Sequence, residues 1–225
     1  LYFLYILMVI QFLLLFSILI LLFIILSNMF RIEGLTNPQL RPQTVLLIGD
    51  SMLKNDTYVD KGYSVSDQLR QYTKVDIVAR DGAKVQDISQ QLLACHPSSS
   101  SSAPTVVISI GGNNILEEIP YYNEEDIDTL FDEYKNTIIH IKNTLKIPPE
   151  QIILCNIYYP PSYMYRKYDK TITTWNKRLD QFASKHKFKI LNVATTMNAE
   201  EDFTHEIEPS RIGGGKIVET LKGLF

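Results

Sequence analysis

The stretch that decides the fold is VLLIGDS, Val45 to Ser51, in which an apolar run stops at a glycine, an acid and a hydroxyl. Glycine, aspartate and serine are turn residues, so one interpretation is a buried strand that ends in a tight turn. The other interpretation is a nucleophilic Ser51 held at the carboxyl edge of a parallel sheet. The tripeptide by itself leaves both interpretations open, and the partners of Ser51 must be sought elsewhere in the chain.

Length, charge and cysteine content narrow the class of protein. The chain has 225 residues, which is enough for one domain with a sizeable core. Its formal net charge is -3, and because no basic face stands out we expect no nucleic-acid partner. Cys95 and Cys155 are the two cysteines. They are too few for a disulfide framework, and a single bridge and two reduced thiols both remain open.

The first 30 residues form an apolar segment without a charged side chain. About 20 apolar residues span a bilayer as a helix, so we predict a transmembrane anchor over 1–30, followed by a juxtamembrane linker over 31–43. A cleaved signal peptide is the alternative, but its apolar region is shorter and a cleavage site with small residues follows it. The sequence therefore predicts a single-pass membrane protein.

The side of the membrane that carries the rest of the chain stays open. Arg31 and Arg41 follow the apolar segment and favour a cytoplasmic location by the positive-inside rule, although Glu33 lies between them. One glycosylation sequon begins at Asn55, close to Ser51, and would carry a glycan only if the domain faces a lumen.

Beyond the linker, residues 44–225 alternate short apolar runs with longer amphipathic stretches. Nearly continuous apolar runs are typical of parallel strands that are covered on both faces. They predict strands over 44–49, 75–79, 105–110, 152–157 and 188–193. The amphipathic stretches predict helices over 64–72, 85–95, 124–145, 170–186 and about 210–222. Strands separated by helices predict an α/β fold, a three-layer α/β/α sandwich around a five-stranded parallel sheet.

Ligands of such a sheet bind outside the carboxyl ends of its strands, and the residues expected there include the parts of an acyl-transfer site. A serine needs a base to take its proton, and His205 is the candidate because histidine titrates near neutrality. Asp202 is placed to orient that imidazole. The backbone N–H groups of Ser51 and Gly82 and the side-chain amide of Asn113 are candidate donors to an oxyanion. A turn, a helix cap and a surface histidine are the structural alternatives for Gly82, Asn113 and His205.

Four short blocks carry a resemblance to a known family. They occur in the order IGDS (48–51), RDGA (80–83), GGNN (111–114) and DFTH (202–205). In this order they resemble the signature blocks of the SGNH, or GDSL, hydrolase superfamily over about residues 44–225. The resemblance implies a flavodoxin-like α/β/α fold and serine esterase or acyl hydrolase activity without a metal or other cofactor.

The resemblance also implies a role for each matched residue. It makes Ser51 the nucleophile, Asp202 and His205 the acid and the base, and it forms the oxyanion hole from Ser51, Gly82 and Asn113. The expected substrate is a small, lipid-like or sugar O-acyl ester. The same residues would serve an O-acyltransferase in which a sugar replaces water as the acceptor.

Two positions depart from the family's usual blocks. Asn114 stands where an aspartate is common, and Glu206 stands where a proline commonly follows the histidine. They motivate an alternative function, in which an inactive SGNH fold anchored in a membrane binds a glycan or a protein.

Overall fold

The computed structural model describes residues 44–95 and 103–225, which form a five-stranded parallel sheet between two layers of helices. The strands are β1 Val45–Gly49, β2 Val75–Ile77, β3 Thr105–Ser109, β4 Ile152–Cys155 and β5 Lys189–Leu191. Their order in the sheet is β2-β1-β3-β4-β5, and all four pairings are parallel. The predicted three-layer fold with a five-stranded parallel sheet is confirmed.

The predicted anchor 1–30 and linker 31–43 lie outside the described residues. Within 44–95 and 103–225, no helix is both long enough and apolar enough to cross a membrane.

The two faces of the sheet bury alternate residues of each strand. In β1, Leu46 and Ile48 pack into one core and Val45 and Leu47 into the other. Successive side chains of a strand point to opposite faces, so a run that is apolar throughout is what a sheet covered on both sides requires. This is why the VLLI run encodes a central strand and not a surface strand.

Seven α-helices occupy the described residues. They are α1 Val65–Leu69, α2 Ile88–Leu93, α3 Gly112–Glu118, α4 Glu124–Leu145, α5 Asp169–His186, α6 Val193–Thr196 and α7 Arg211–Lys222. Side chains of α2, α3, α4 and α5 share the core of Leu46 and Ile48, whereas those of α1, α6 and α7 share the core of Val45 and Leu47.

The longest helix, α4, shows how the sequence sets its own boundaries. The Asn123 side chain accepts a hydrogen bond from the Glu125 N–H (3.1 Å), and acidic residues fill the first turn, where they complement the helix dipole. The helix ends at Leu145, and Lys146 after it adopts a left-handed conformation with φ 52°. Its buried side chains, Ile127, Leu130, Phe131, Tyr134, Ile138 and Ile141, recur at helical spacing and face the core.

Several predicted boundaries differ from the structure for local reasons. The strand predicted over 188–193 ends at Leu191, because the Asn192 side chain caps α6 by accepting the Thr195 N–H. The helix predicted over 85–95 begins as a 3-10 turn, Val85–Asp87, before α2. A short hairpin of β6 Phe203–Thr204 and β7 Glu208–Pro209 was not predicted. Cys95 and Cys155 are both free thiols.

Candidate active site

The GDS turn lies where the order of strands reverses, at the adjoining carboxyl ends of β1 and β3. Gly49 has φ 129°, and a Cβ there would lie 1.7 Å from the carbonyl oxygen of Ser109. That carbonyl accepts the Asp50 N–H at 2.9 Å. Only glycine allows the two strands to approach this closely.

A glutamine fixes the end of β1 from the neighbouring helix. Gln91 of α2 is fully buried, and its side chain accepts the Gly49 N–H (2.8 Å) and donates to the Gly49 carbonyl (2.7 Å). The sequence analysis missed this residue. Its signal was a glutamine that falls on the apolar face of an amphipathic helix.

Ser51 has a carboxylate as its hydrogen-bond partner. Its hydroxyl donates to Glu208 Oε1 at 2.9 Å, and both side chains are buried. The second carboxylate oxygen of Glu208 is buried and has no hydrogen-bond partner among the described residues. Glu208 belongs to β7, so the hairpin that was not predicted supplies the carboxylate that is hydrogen-bonded to the serine.

Asp50 is a second buried carboxyl group beside Ser51. The Ser109 hydroxyl donates to Asp50 Oδ1 at 2.8 Å, and the Met52 N–H donates to the same oxygen at 3.3 Å. Burial raises the pKa of Asp50 to about 7, although the bonds from Ser109 and Met52 lower it. The charge of Glu208 raises this pKa further. Burial also raises the pKa of Glu208 to about 7, although the bond from Ser51 lowers it.

Ser51 and Glu208 line a cavity of about 120 Å³. Its walls are mainly apolar and come from the ends of β3 and β4, from α3 and α5, and from the β6–β7 turn. They include Ile110, Ile115, Leu116, Ile157, Ile172 and Ile207. An apolar cavity with a few polar groups at one wall is the usual form of a small-molecule site.

Of the predicted oxyanion donors, the structure brings Ser51 and Asn113 to this cavity. The Asn113 amide nitrogen donates one hydrogen to the Ala83 carbonyl at 2.9 Å, and an amide has a second hydrogen to donate. Gly82 lies in an exposed turn with φ 69° and is not part of the cavity wall.

Asn114, one of the departures from the family's blocks, has a structural role. It is fully buried, and its side-chain oxygen accepts the Val85 N–H at 3.0 Å. Its amide nitrogen lies 3.2 Å from both carboxylate oxygens of Glu118. An aspartate could not donate to Glu118, so asparagine suits this environment.

The structure does not bring His205 to Ser51. His205 and Glu206 form the tip of the β6–β7 hairpin, both with positive φ (46° and 69°), and both side chains are exposed. The imidazole Nδ1 lies 3.2 Å from the Thr204 hydroxyl, and the ring meets Tyr58 edge-on. Among the described residues, His205 makes neither of its predicted contacts, with Ser51 or with Asp202. The hairpin turn directs its side chain to solvent.

Asp202 also has partners other than the predicted histidine. Its Oδ1 lies 2.6 Å from Lys216 Nζ of α7, and its Oδ2 accepts the N–H groups of Asn198 and Ala199 at 3.0 Å each. Burial by itself would raise the pKa of Asp202, but these partners hold it below its ordinary value. In this structure Asp202 anchors its loop to α7 and does not orient an imidazole.

Asn55, the residue of the sequon, is fully buried. Its side chain accepts the Val65 N–H and donates to the Pro209 carbonyl, both at 2.9 Å. A glycan could not be attached to this nitrogen in the folded domain. Asn55 instead ties the loop after Ser51 to β7, next to Glu208.

The described residues contain no group of three or more His, Cys, Asp and Glu side chains arranged to hold a metal ion. The polar side chains in the cavity wall include the Ser51 hydroxyl, the buried carboxyl groups of Asp50 and Glu208 and the Asn113 amide, together with Ser109, Cys155, Asn156, Tyr158 and Tyr165.

Comparison with known proteins identifies the fold. No family model and no curated protein matches the sequence. Among solved structures, a member of the lipolytic protein G-D-S-L family from Veillonella parvula matches with TM-score 0.63 and 17% identity, over 81% of this chain and 98% of that one. A lipase from a goat rumen metagenome matches with TM-score 0.60 and 17% identity, over 81% and 97%. A variant of an acetyl-xylooligosaccharide esterase from Geobacillus matches with TM-score 0.55 and 16% identity, over 81% and 93%. The described part of this chain has the SGNH, or GDSL, hydrolase fold.

Proposed function

We propose that the domain is an ester hydrolase in which Ser51 is the nucleophile. The observation that carries the proposal is a buried serine hydroxyl at the wall of an apolar cavity, hydrogen-bonded at 2.9 Å to a carboxylate. A bonded acceptor is what a serine needs to become nucleophilic. The fold, shared with proteins named as lipases and esterases, supports the same chemistry.

Different parts of the cavity wall would contact different parts of the ester. The acyl group would lie against the apolar side chains, with its carbonyl carbon near Ser51 Oγ. The second amide hydrogen of Asn113 and the Ser51 N–H would bind the oxyanion, an interaction worth roughly 10²–10³ in rate for each donor. A cavity of about 120 Å³ accommodates a short acyl chain, whether its ester belongs to a small molecule, a lipid-like compound or a sugar.

His205 and Asp202 stay predictions as base and acid. They could serve Ser51 only after the β6–β7 hairpin rearranges, since the ring now lies in solvent and the carboxylate is paired with Lys216. The same separation favours a second candidate function, an inactive SGNH domain that binds a glycan or a protein through the cavity.

We also propose a membrane location, on the basis of the uncharged segment 1–30 alone. The test is whether the full-length chain stays with membranes after washing at pH 11, and its release into the supernatant would count against an integral anchor.

Replacing Ser51 tests the hydrolase proposal. We expect Ser51→Ala to lower p-nitrophenyl acetate turnover by about 10⁴-fold or more, because it removes the nucleophile. Covalent labelling by a fluorophosphonate should disappear at the same time. The full-length chain in detergent is the material for both assays, and Ser89→Ala is the matched control because Ser89 is exposed on α2.

Wild-type protein that is folded but shows neither turnover nor labelling would contradict the hydrolase and favour the binding function. Turnover that rises when a sugar acceptor is added, with an acylated sugar as the product, would identify an O-acyltransferase.

A further inference from the structure

We infer that Glu208 is the general base that activates Ser51, a role for which the sequence predicts His205. This inference rests on the proposed function and concerns the same site. Glu208 Oε1 accepts the Ser51 hydroxyl at 2.9 Å, which is the geometry required for proton transfer.

The other candidate bases, two aspartates and a histidine, have different partners or lie in solvent. Asp50 Oδ1 accepts bonds from Ser109 and Met52, and no described bond joins Asp50 to Ser51. Asp202 is paired with Lys216, and the ring of His205 is exposed. Among the described residues, Glu208 is the only titratable side chain bonded to the serine hydroxyl.

The second oxygen of Glu208 points to a ligand. Glu208 as a residue is only 8% exposed, it lines the cavity, and its Oε2 has no partner among the described residues. A buried carboxylate oxygen without a partner destabilises the folded state, so such an atom in a cavity wall is explained best by a molecule that binds there. A substrate hydroxyl or the hydrolytic water could donate to it.

The protonation behaviour of Glu208 suits a base at neutral pH. Burial raises its pKa to about 7, the bond from Ser51 acts in the opposite direction, and the charge of Asp81 raises it further. A base is most effective when its pKa lies near the working pH. The groups that interact electrostatically with Glu208 are Asp50, Asp81, Tyr58, Tyr158 and Tyr165.

The hairpin holds Glu208 in place from both sides. Thr204 pairs with Glu208 and Phe203 with Pro209 in the two-stranded sheet. The Pro209 carbonyl is bonded to Asn55, in the same loop as the nucleophile. Asn55 is therefore a positioning residue for the pair of Ser51 and Glu208.

The proton can be followed through the whole reaction. Glu208 takes the proton of Ser51 as the serine oxygen bonds to the ester carbonyl carbon, and the carbonyl electron pair moves to the oxyanion. The oxyanion collapses, the ester C–O bond breaks, and Glu208 protonates the departing alkoxide. Glu208 then takes a proton from water, whose oxygen bonds to the acyl carbon. Collapse of the second oxyanion releases Ser51, which regains the proton, and the products are an acid and an alcohol.

The test compares Glu208→Gln with Glu206→Gln in the full-length chain. We expect the first variant to lower kcat for p-nitrophenyl acetate by about 10²–10⁴-fold. In the wild type, kcat should rise with pH through about 7 and level off above it, because the base works only when deprotonated. Glu208→Gln should lose this dependence. Glu206→Gln should match the wild type, since Glu206 is an exposed acid two residues away.

Three further variants separate the roles of neighbouring groups. Asp50→Asn should keep a pH dependence, shifted because the two carboxyl groups interact. Glu208→Asp should recover part of the activity lost in Glu208→Gln, and it provides the second variant if the glutamine form does not fold. Asn55→Ala should reduce kcat more than KM while retaining the pH dependence of a carboxylate base.

Two results would overturn the assignment while leaving the hydrolase intact. One is a folded Glu208→Gln protein with the wild-type rate and pH profile. The other is loss of activity in His205→Ala that equals the loss in Glu208→Gln, because that outcome would restore the histidine as the base. If wild-type protein has no turnover and no Ser51 labelling, the proposed function fails and this inference fails with it.

Discussion

At the residue scale, the site places two carboxyl groups around one serine in a largely apolar environment. Asp50 and Glu208 both have pKa values raised to about 7, and in both cases burial is the largest cause. Perturbed carboxyl groups of this kind are typical of functional sites. Holding two such groups in an apolar environment costs stability above pH 7, where both are charged.

The burial of Asp50 predicts how stability changes with pH. The folded state holds the Asp50 proton up to about pH 7, whereas the unfolded state releases it near the ordinary aspartate pKa of 3.8. Between these values the folded state binds more protons, so the free energy of unfolding falls as pH rises, by up to about 1.4 kcal/mol per pH unit for this group. The Glu208 carboxyl contributes a change of the same sign.

The Asp50→Asn variant should therefore lose less stability than the wild type between pH 4 and 7. Urea unfolding at half-unit pH steps measures the two slopes. Equal slopes in the two proteins would show that Asp50 is not buried as an acid with a raised pKa.

At the element scale, α7 is joined to the loop that carries Asp202 by a close backbone contact. Asp202 accepts the Ser210 N–H through its carbonyl (2.8 Å), and Ser210 caps α7 through its hydroxyl. A Cβ on Gly213 would lie 2.1 Å from that Asp202 carbonyl oxygen. Because β7 runs directly into α7, this packing also fixes Glu208 relative to Ser51.

Replacing either of two glycines of α7 by alanine should therefore change the stability of the protein by different amounts. Gly213→Ala should destabilise the protein by about 1–3 kcal/mol or more, since a backbone atom blocks the methyl group. Gly215→Ala should be neutral or stabilise by up to about 1 kcal/mol through helix propensity, because its nearest neighbour is the flexible end of Gln68 at 3.1 Å. Urea midpoints compare the two, and equal effects would contradict the close contact.

At the scale of the whole molecule, an aromatic cluster joins α4 and α5 beneath the GGNN segment, where α3 begins. Trp175 is fully buried, with ring centroids 4.9 Å from Phe131 and 5.2 Å from Tyr134. A Cβ on Gly111 would lie 2.7 Å from the Trp175 ring, so the start of α3, which carries Asn113, rests directly on this cluster. The core that stabilises the fold thus also supports the cavity.

Removal of that ring should affect the whole domain. We expect Trp175→Ala to lower the free energy of unfolding by about 3–5 kcal/mol, the range for large aromatic side chains in cores. Tyr163→Ala is the control, since Tyr163 is 83% exposed, and it should change stability by less than about 0.5 kcal/mol. Circular dichroism in urea measures both, and a small effect at Trp175 would contradict its role in the core.

The sequence by itself determined the class of fold and the place of the serine. Apolar runs such as 45–48 are typical of parallel strands that are covered on both faces, and a local pattern of this kind does not depend on distant residues. The Gly49 turn follows from the same local pattern. These predictions held because each one depends on side chains that are neighbours along the chain.

Only the tertiary structure decided which group accompanies Ser51. His205 and Glu208 are three residues apart, and the side chain of either one can accept a proton from a serine. The left-handed turn at His205 and Glu206 directs the histidine to solvent, and the pairing of β6 with β7 buries the glutamate. Ser51 and Glu208 are 157 residues apart in the chain. Their contact depends on the docking of a hairpin against the loop that follows β1, which no local pattern of residues encodes.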